Sequence, residues 1–357
     1  MINKEEITLE WIEKVSKANR NADKILVEKV IRAFLLLEGL VEQKLSFVFK
    51  GGTALMLHLN STKRLSIDID IILPKKPKNL DELLDKVAAE QGFLRKSIQP
   101  RIANSKIDKA HYQFYYIPIY KTKKEEEHVL LDILFEDILY EKVIQINIQS
   151  SFVPNTGSPS IVEVPCLEDI AGDKLTAFAP NTTGIPYFKK EDSQSMEIIK
   201  QLYDIGNLFD NIIDIGIIKT TFKKFAQTEL SYREKDSLSE QDVLDDIYQT
   251  SICIVTRGTD GKGDFNQLQQ GIQRVTRFVF SESYHLDKAI THASKAAYLA
   301  TLIKYDTENI EKYDNSAQLK DWLIGEPMNT KLNRLKKSNP EAFFYWYKIY
   351  ELTVKKV

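Results

Sequence analysis

The spacing of hydrophobic and polar positions changes near the start of the chain. Apolar side chains recur at helical intervals over residues 25–37, which predicts an amphipathic helix. Residues 45–49, LSFVF, are aliphatic and aromatic and predict a strand, which a Gly-Gly pair ends. A short helix over residues 54–59 is expected next, with Thr53 as its N-cap.

The same reasoning predicts the remaining elements of a first domain. A polar turn leads to a second strand over residues 67–73, which Pro74 ends. Residues 80–91 return to helical spacing. Three further strands are expected over residues 111–119, 128–135 and 143–149.

A loop over residues 150–165 contains three prolines and one glycine and is the predicted domain boundary. Beyond it the pattern is mostly helical, apart from a polar loop over residues 180–195. The sequence therefore predicts an α+β protein. A mixed-sheet domain occupies residues 1–150, and a mainly helical domain occupies residues 151–357.

Composition narrows the class of protein. The 357 residues include 49 Lys and Arg against 51 Asp and Glu, so the net charge of -2 does not indicate a nucleic-acid-binding protein, and local patches would have to supply such binding. No stretch approaches the ~20 apolar residues of a membrane helix. Two distant cysteines, Cys166 and Cys253, argue against a disulfide scaffold or a zinc site. We expect a cytoplasmic protein without a membrane partner.

Two carboxylates lie close together on the second predicted strand. Because strand side chains alternate between faces, Ile67, Ile69 and Ile71 point into a core, and Asp68 and Asp70 point together to the other face. Carboxylates at this spacing repel each other unless a cation lies between them. We therefore predict that Asp68 and Asp70 are catalytic ligands of Mg²⁺, or of Mn²⁺.

The Gly-Gly pair precedes the short helix and suits an anion. Glycine lets the backbone approach a ligand closely, and a helix N-terminus offers free N–H groups. Gly51, Gly52 and Thr53, with Arg64 and Ser66 of the following basic turn, are the predicted nucleotide-binding residues. Alone, a Gly-Gly pair is usually a turn and a DxD sequence is often a solvated strand face or a calcium site, but their combination is more specific.

A third carboxylate is expected for a two-metal arrangement, in which it positions or deprotonates the attacking hydroxyl. Asp132, in the strand-like run HVLLDILF, is the candidate catalytic residue and metal ligand. Glu136 and Asp137 lie nearby and remain alternatives.

The segment KGGTALMLHLNSTKRLSIDID, residues 50–70, resembles the first motif of the nucleotidyltransferase AbiEii/AbiGii toxin family. That family belongs to the DNA-polymerase-β-like nucleotidyltransferases and is typically found in bacterial toxin–antitoxin and phage-abortive (abortive infection) systems. The resemblance continues in residues 168–178 and 200–205. It implies a nucleotidyltransferase-like first domain, a second domain that completes the active site, and a cognate antitoxin.

The resemblance also implies roles for single residues. Gly51, Gly52, Asp68 and Asp70 match the nucleotide and metal motif. In the second domain, Lys174 matches a lysine that is implied to contact nucleotide phosphate, and Asp204 matches the second acid of a KDxxD-like motif implied in catalysis. The first acid of that motif is replaced by Gln201.

Several other residues have two interpretations. Lys174 lies on a half-apolar helix and is either a phosphate-binding cation or a surface lysine with a buried stem. Lys189 and Lys190 either reach phosphate or RNA or are simply solvated. Near the end of the chain, Lys331, Arg334, Lys336 and Lys337 are candidates for RNA contact, whereas the aromatics of residues 343–350 are expected in a core. The five histidines form no recognisable ligand set, and helix packing is expected for most.

The predicted reaction transfers a nucleoside monophosphate from an NTP to an acceptor hydroxyl, with the 3′ end of RNA, in particular tRNA, as the expected acceptor. Two alternatives remain: a phosphotransferase that uses the same metal site, and a non-catalytic nucleotide-binding module, which Gln201 would fit.

Overall fold

The computed structural model describes residues 1–59, 63–99, 108–121 and 123–355. These residues form two compact units. The first contains Met1–Cys166 and Arg277–Ser283, and the second contains Leu167–Thr276 and Tyr284–Val357.

The first unit alternates helices and strands. Its helices are α1 (Leu9–Ala18), α2 (Lys24–Glu42), α3 (Gly51–His58) and α4 (Leu80–Glu90). Its strands are β1 (Val48–Lys50), β2 (Ile69–Ile72), β3 (Arg95–Ile98), β4 (Lys109–Tyr116), β5 (Glu127–Leu134), β6 (Val143–Asn147) and β7 (Ile161–Pro165). Asp23 caps α2 by accepting hydrogen bonds from the N–H groups of Ile25 and Leu26.

A five-stranded mixed sheet in the order β1-β2-β5-β4-β3 organises the first unit. Strands β2 and β5 run parallel, and the other neighbours run antiparallel. Buried and half-buried residues alternate strictly along β4 and β5, so one sheet face belongs to the core. Helix α2 packs against β2 and β5 and buries Phe34, Leu36 and Leu37 completely. Asp70 of β2 and both His128 and Asp132 of β5 are left on the other face, whereas Glu127 of β5 is buried on the core face, where it pairs with Lys29 of α2.

In the first unit, the sequence predicted the long elements correctly and missed two short strands. The helices predicted over residues 25–37, 54–59 and 80–91 correspond to α2, α3 and α4, and each of the five predicted strands is present. Strand β3 and strand β7 were not predicted. Thr53 was expected as an N-cap, which is wrong, because the cap position is Lys50 and Thr53 lies inside α3.

The expected boundary loop belongs largely to the first unit. Strand β7 lies within the predicted loop and pairs antiparallel with β6 in a two-stranded sheet. In the structure, the first unit therefore extends to Cys166. The division into domains 1–150 and 151–357 remains a prediction about folding units.

A late segment of the chain returns to the first unit beside the predicted nucleotide-binding turn. Leu65 donates its backbone N–H to the carbonyl of Phe278, and Ser281 donates its hydroxyl to the carbonyl of Lys63. The turn that contains Arg64 and Ser66 is thus held by residues more than 200 positions away in sequence.

The second unit is mainly helical, as predicted. Its helices are α5 (Leu167–Ala177), α6 (Ser195–Phe209), α7 (Ile215–Tyr232), α8 (Glu240–Val255), α9 (Phe265–Val275), α10 (Leu286–Lys304), α11 (Leu335–Ser338) and α12 (Pro340–Lys355). The polar loop contains a short hairpin of β8 (Phe188–Lys189) and β9 (Asp192–Ser193). Asp214, Ser239 and Asp264 cap α7, α8 and α9.

The aromatic residues of α12 mostly pack into the second unit. Phe343, Tyr345 and Trp346 are at most 1% exposed, and the ring centroids of Tyr345 and Phe209 lie 5.0 Å apart. These positions follow the expectation that the aromatics belong to a core. Among the described residues, no helix is long and apolar enough to span a membrane.

Candidate functional site

Four polar residues form a row across the sheet of the first unit. In the strand register, Lys50 pairs with Asp70, Asp70 with Asp132, and Asp132 with His111. Residues paired in register project from the same face, so this row brings together two of the predicted catalytic acids on the half-buried face of the sheet. Glu136 and Asp137 lie beyond the end of β5 and outside this register.

Gly51 lets the side chain of Asp70 pack directly against the backbone. Its φ of +81° is in the left-handed region, which glycine adopts without strain. A Cβ at this position would lie 2.2 Å from Oδ2 of Asp70. The Asp70 carboxylate therefore occupies the space that any other residue at position 51 would need.

Gly52 lies against the other predicted nucleotide-binding residues. A Cβ there would lie 2.6 Å from Oγ of Ser66 and 2.7 Å from an Nη atom of Arg64. Arg64 is only 8% exposed and donates to the carbonyl of Leu65. The first turn of α3 thus has a hydroxyl and a guanidinium directly beside its backbone.

Asp68 immediately precedes β2, and its backbone is fixed to α3. Thr53 is fully buried and donates its hydroxyl to the carbonyl of Asp68 over 2.6 Å. The flanking Ile69 and Ile71 are fully buried, whereas Asp68 and Asp70 are half-buried. The alternation predicted for this strand is confirmed over residues 68–71, whereas Ile67, which was also expected in the core, is only half-buried and packs against it.

His111 contacts the third predicted acid directly. Its Nδ1 lies 2.6 Å from Oδ1 of Asp132, and both side chains remain more than one-third exposed. His128 lies on the same face, with its ring centroid 5.6 Å from that of Tyr115. These two histidines are on strands, so the expectation of helix packing does not apply to them; His58 and His292 are in helices.

The carboxylates of Asp68 and Asp70 are chemically suited to a divalent cation that is shared with substrate. Magnesium is usually held by one or two carboxylates, with water and phosphate oxygens completing its shell. Within the described parts of the chain, no group of three or more His, Cys, Asp or Glu side chains could hold a metal ion. Asp68 and Asp70, next to the Gly51 cradle, are chemically suited to be those two carboxylates, and the roles of Asp68, Asp70 and Asp132 as metal ligands stay predictions.

In the second unit, Lys174 and Asp204 form a buried ion pair. The Nζ atom of Lys174 lies 2.7 Å from Oδ2 of Asp204 and donates to Oε1 of Gln201 over 3.1 Å. Lys174 is 6% exposed and Asp204 is 5% exposed. The alternative of a surface lysine is therefore wrong. Gln201 keeps a hydrogen-bond acceptor at the position where the family motif has an acid.

Close helix packing supports this pair. Gly172 brings α5 against α7, since a Cβ there would lie 2.9 Å from the carbonyl oxygen of Ile218. The fully buried Asp169 accepts a short hydrogen bond from Thr221 on α7. The segment that resembles the family motif thus also builds the core of the second unit.

The remaining basic candidates differ in exposure. Lys189 and Lys190 lie at the tip of the β8–β9 hairpin and are exposed. Lys331, Arg334 and Lys337 lie on the surface of the second unit, where all three are exposed. Lys336 instead donates to the backbone carbonyls of Lys320 and Trp322, so its ammonium group is used within the protein.

Sequence reasoning missed Lys50 and His111 as members of the site. Lys50 precedes the Gly-Gly pair, and only the pairing of β1 with β2 places it beside Asp70. His111 is 21 positions from Asp132 and becomes its neighbour through the antiparallel register of β4 and β5. One signal in the sequence could have indicated these two residues. Each is a polar residue in or next to a predicted strand, and that strand could be expected to pair with a strand that carries an acid.

A comparison with known protein families identifies the family of this chain. A family model described as "Nucleotidyl transferase AbiEii toxin, Type IV TA system" matches residues 35–274. None of the curated proteins matches the chain. The matched region is more than half of the chain and includes the Gly-Gly pair, the row of four polar residues and the Lys174–Asp204 pair.

Two solved structures from one organism are remotely similar. A protein from H. pylori described as a candidate nucleotidyltransferase is 19% identical, with a TM-score of 0.41, over 78% of this chain and 94% of that chain. JHP933 from Helicobacter pylori is 18% identical, with a TM-score of 0.42, over 80% and 94%. These similarities are too remote to assign a function, whereas the family model covers more than half of the chain. The chain is therefore a nucleotidyltransferase that belongs to the AbiEii toxin family of type IV toxin–antitoxin systems.

Proposed function

We propose that the protein transfers a nucleoside monophosphate from an NTP to a hydroxyl group at the 3′ end of RNA, in particular tRNA. The observation that carries this proposal is the pairing of Asp70 with Asp132 beside the Gly51 backbone. Two acids in register next to a backbone that admits close approach suit the transfer of a phosphoryl-type group.

The residues of the first unit have distinct roles in the proposed reaction. The acceptor oxygen attacks the α-phosphorus, the bond from that phosphorus to its bridging oxygen breaks, and pyrophosphate leaves. Asp132 accepts the proton of the attacking hydroxyl as a general base. The backbone N–H groups of Gly52 and Thr53, at the first turn of α3, bind phosphate oxygens, and Arg64 and Ser66 contribute from beside them.

Asp68 and Asp70 are the proposed ligands of Mg²⁺ or Mn²⁺, with Asp132 as the third. Such an ion, when bound, offsets the negative charge that develops on the phosphates. The hydrogen bond from Thr53 to the carbonyl of Asp68 keeps the backbone of the first ligand next to the phosphate-binding turn.

Lys174 is proposed to contact nucleotide phosphate, and Asp204 is proposed to act with it, as the resemblance implies. In the second unit the Lys174 ammonium is held by Asp204 and Gln201, which fixes its position. A preorganised cation stabilises developing charge without the cost of reorganisation.

The proposed RNA acceptor draws support from Lys331, Arg334 and Lys337 on the surface of the second unit. Cations spaced along one segment can follow a phosphate backbone even when the net charge of the protein is near zero. The acceptor and NTP would be met in the cytoplasm, which is the proposed location. The family implies a cognate antitoxin as a further partner.

The test incubates the purified protein with total cellular RNA and each of the four NTPs, labelled either at the α- or the γ-phosphate. We expect α-label to enter RNA, with release of pyrophosphate and dependence on Mg²⁺ or Mn²⁺. Asp68→Ala and Asp70→Ala should abolish transfer and leave the fold intact. Asp85→Asn is the matched control, because this exposed acid shares Lys96 with Asp81.

Other outcomes identify the alternatives. Transfer of γ-label would indicate a phosphotransferase, and tight NTP binding without turnover on any acceptor would indicate a binding module. Label that survives RNase and is lost on protease digestion would replace RNA with a protein acceptor.

A further inference from the structure

His111 is the neighbour of Asp132 on the side of β5 that faces away from Asp70. The strand order places β2 on one side of β5 and β4 on the other. Asp70 is the register partner of Asp132 on β2, and His111 is its register partner on β4. The 2.6 Å separation between Nδ1 of His111 and Oδ1 of Asp132 is that of a short, charge-assisted hydrogen bond.

This contact has two physical effects on Asp132: it offsets repulsion from Asp70, and it fixes the orientation of the carboxylate. Acidic side chains directly opposite each other on neighbouring strands repel, and Asp70 and Asp132 are such a pair. The terminal torsion of an aspartate is also broad, so a strand position alone does not fix the plane of its carboxylate. A donor on one oxygen offsets part of the repulsion and fixes that plane.

An ionised carboxylate only accepts hydrogen bonds, so the proton of this contact belongs to the imidazole. Nδ1 of His111 therefore donates to Oδ1, which leaves Oδ2 available to the acceptor hydroxyl. Such supporting contacts commonly decide the orientation of catalytic and ligating groups.

We propose that His111 is a positioning residue for nucleotidyl transfer, which holds Asp132 through an Nδ1–H···Oδ1 hydrogen bond. This inference rests on the proposed function, because it assumes that Asp132 accepts the proton of the acceptor. His111 itself touches neither substrate in this assignment.

Three substitutions separate the hydrogen bond from the bulk of the ring. His111→Ala removes the donor. In His111→Asn the side-chain amide nitrogen can occupy the place of Nδ1, whereas in His111→Gln it reaches the place of Nε2. We expect kcat to fall by about 10-fold or more in the Ala and Gln variants, as for other supporting contacts. The Asn variant should recover most of the activity, and KM for the NTP should stay unchanged in all three.

His128→Asn is the matched control on the same sheet face. His128 lies beside Gln113 and Tyr115, four positions along β5 from Asp132, which pairs with His111. We expect near wild-type kcat for this variant. Urea unfolding of each variant identifies any loss of activity that arises from loss of the fold.

A second readout does not depend on activity. Long-range ¹H–¹⁵N NMR spectra distinguish a protonated from an unprotonated imidazole nitrogen, and we expect a protonated Nδ1 in His111. An unprotonated Nδ1 would overturn the proposal, as would an active wild type in which His111→Ala has unchanged kcat. If the folded wild type transfers no nucleotide to any acceptor, the proposed function fails instead, and the NMR result still decides the hydrogen bond.

Discussion

Replacing Gly51 with alanine should displace the Asp70 carboxylate, and the structure gives the size of the displacement. The added Cβ would lie 2.2 Å from Oδ2 and 3.0 Å from Cγ of Asp70. Because ordinary contacts of a Cβ begin at 3.4 Å, the carboxylate must withdraw by about 1 Å. A displacement of this size at a reacting centre can cost about 10²-fold in rate, which is the loss of kcat that we expect.

The stability cost has two parts that a control separates. At a φ of +81° an alanine is strained by about 1–2 kcal/mol, partly offset by reduced freedom of the unfolded chain. Overpacking against Asp70 adds about 1–3 kcal/mol. Gly92 has a similar φ of +75°, and a Cβ added there would meet nothing within 4 Å, so Gly92→Ala carries only the first part.

The assay combines urea unfolding with transfer of α-labelled nucleotide. Gly51→Ala should be less stable than Gly92→Ala by about 1–3 kcal/mol, and only Gly51→Ala should lose activity. In an Asp70→Ala background, the closest remaining contact is the 3.2 Å approach to the Cβ of residue 70. Gly51→Ala should then cost less, with a coupling of about 1 kcal/mol or more. Strict additivity, or equal effects of the two glycine substitutions, would refute the argument.

Three further predictions concern the second unit. Lys174→Met should lower kcat/KM by about 10²-fold and also destabilise the second unit by about 3–5 kcal/mol, because Asp204 is left buried without its cation. The double variant Lys174→Met/Asp204→Leu should regain stability but not activity. If it also regained activity, the pair would have a structural role only. Neutralising Lys331 and Lys337 together should reduce the slope of the logarithm of the RNA-binding constant against the logarithm of salt concentration by about 1.4. Lys336→Met should leave this slope unchanged, because Lys336 donates to backbone carbonyls. An unchanged slope in the first variant would show that Lys331 and Lys337 do not contact RNA phosphates. Burial lowers the pKa of His292, which is 5% exposed, so its contribution to stability is present above the unfolded-state pKa of about 6.5 and is lost as pH falls below it, by up to about 1.4 kcal/mol per pH unit. Between about pH 7.5 and about pH 5, the free energy of unfolding should therefore fall less in His292→Leu than in the wild type, and an identical fall in both proteins would contradict this account.

Local patterns were sufficient where one strand or one turn determines the outcome. The alternation of Asp68, Ile69, Asp70 and Ile71 assigned the acids and the core to opposite faces, and burial agrees with it. Period-two alternation depends only on the geometry of a single strand, so it can be read without knowing its neighbours. The strands β3 and β7 were missed because β3 is a short polar edge strand and β7 ends at a proline within a proline-rich loop.

The partners of each functional side chain depended on the tertiary structure. Strand register selected Asp132 over Glu136 and Asp137 as the neighbour of Asp70, and it added Lys50 and His111 to the same row. Packing of α5 against α6 buried Lys174 with Asp204 and Gln201, where the sequence left a surface position open. Sequence by itself determined which chemical groups are present and, for Asp68 and Asp70, which face of the strand they occupy. Register and burial are set by residues distant in the chain, and therefore only the folded protein decided which of those groups meet.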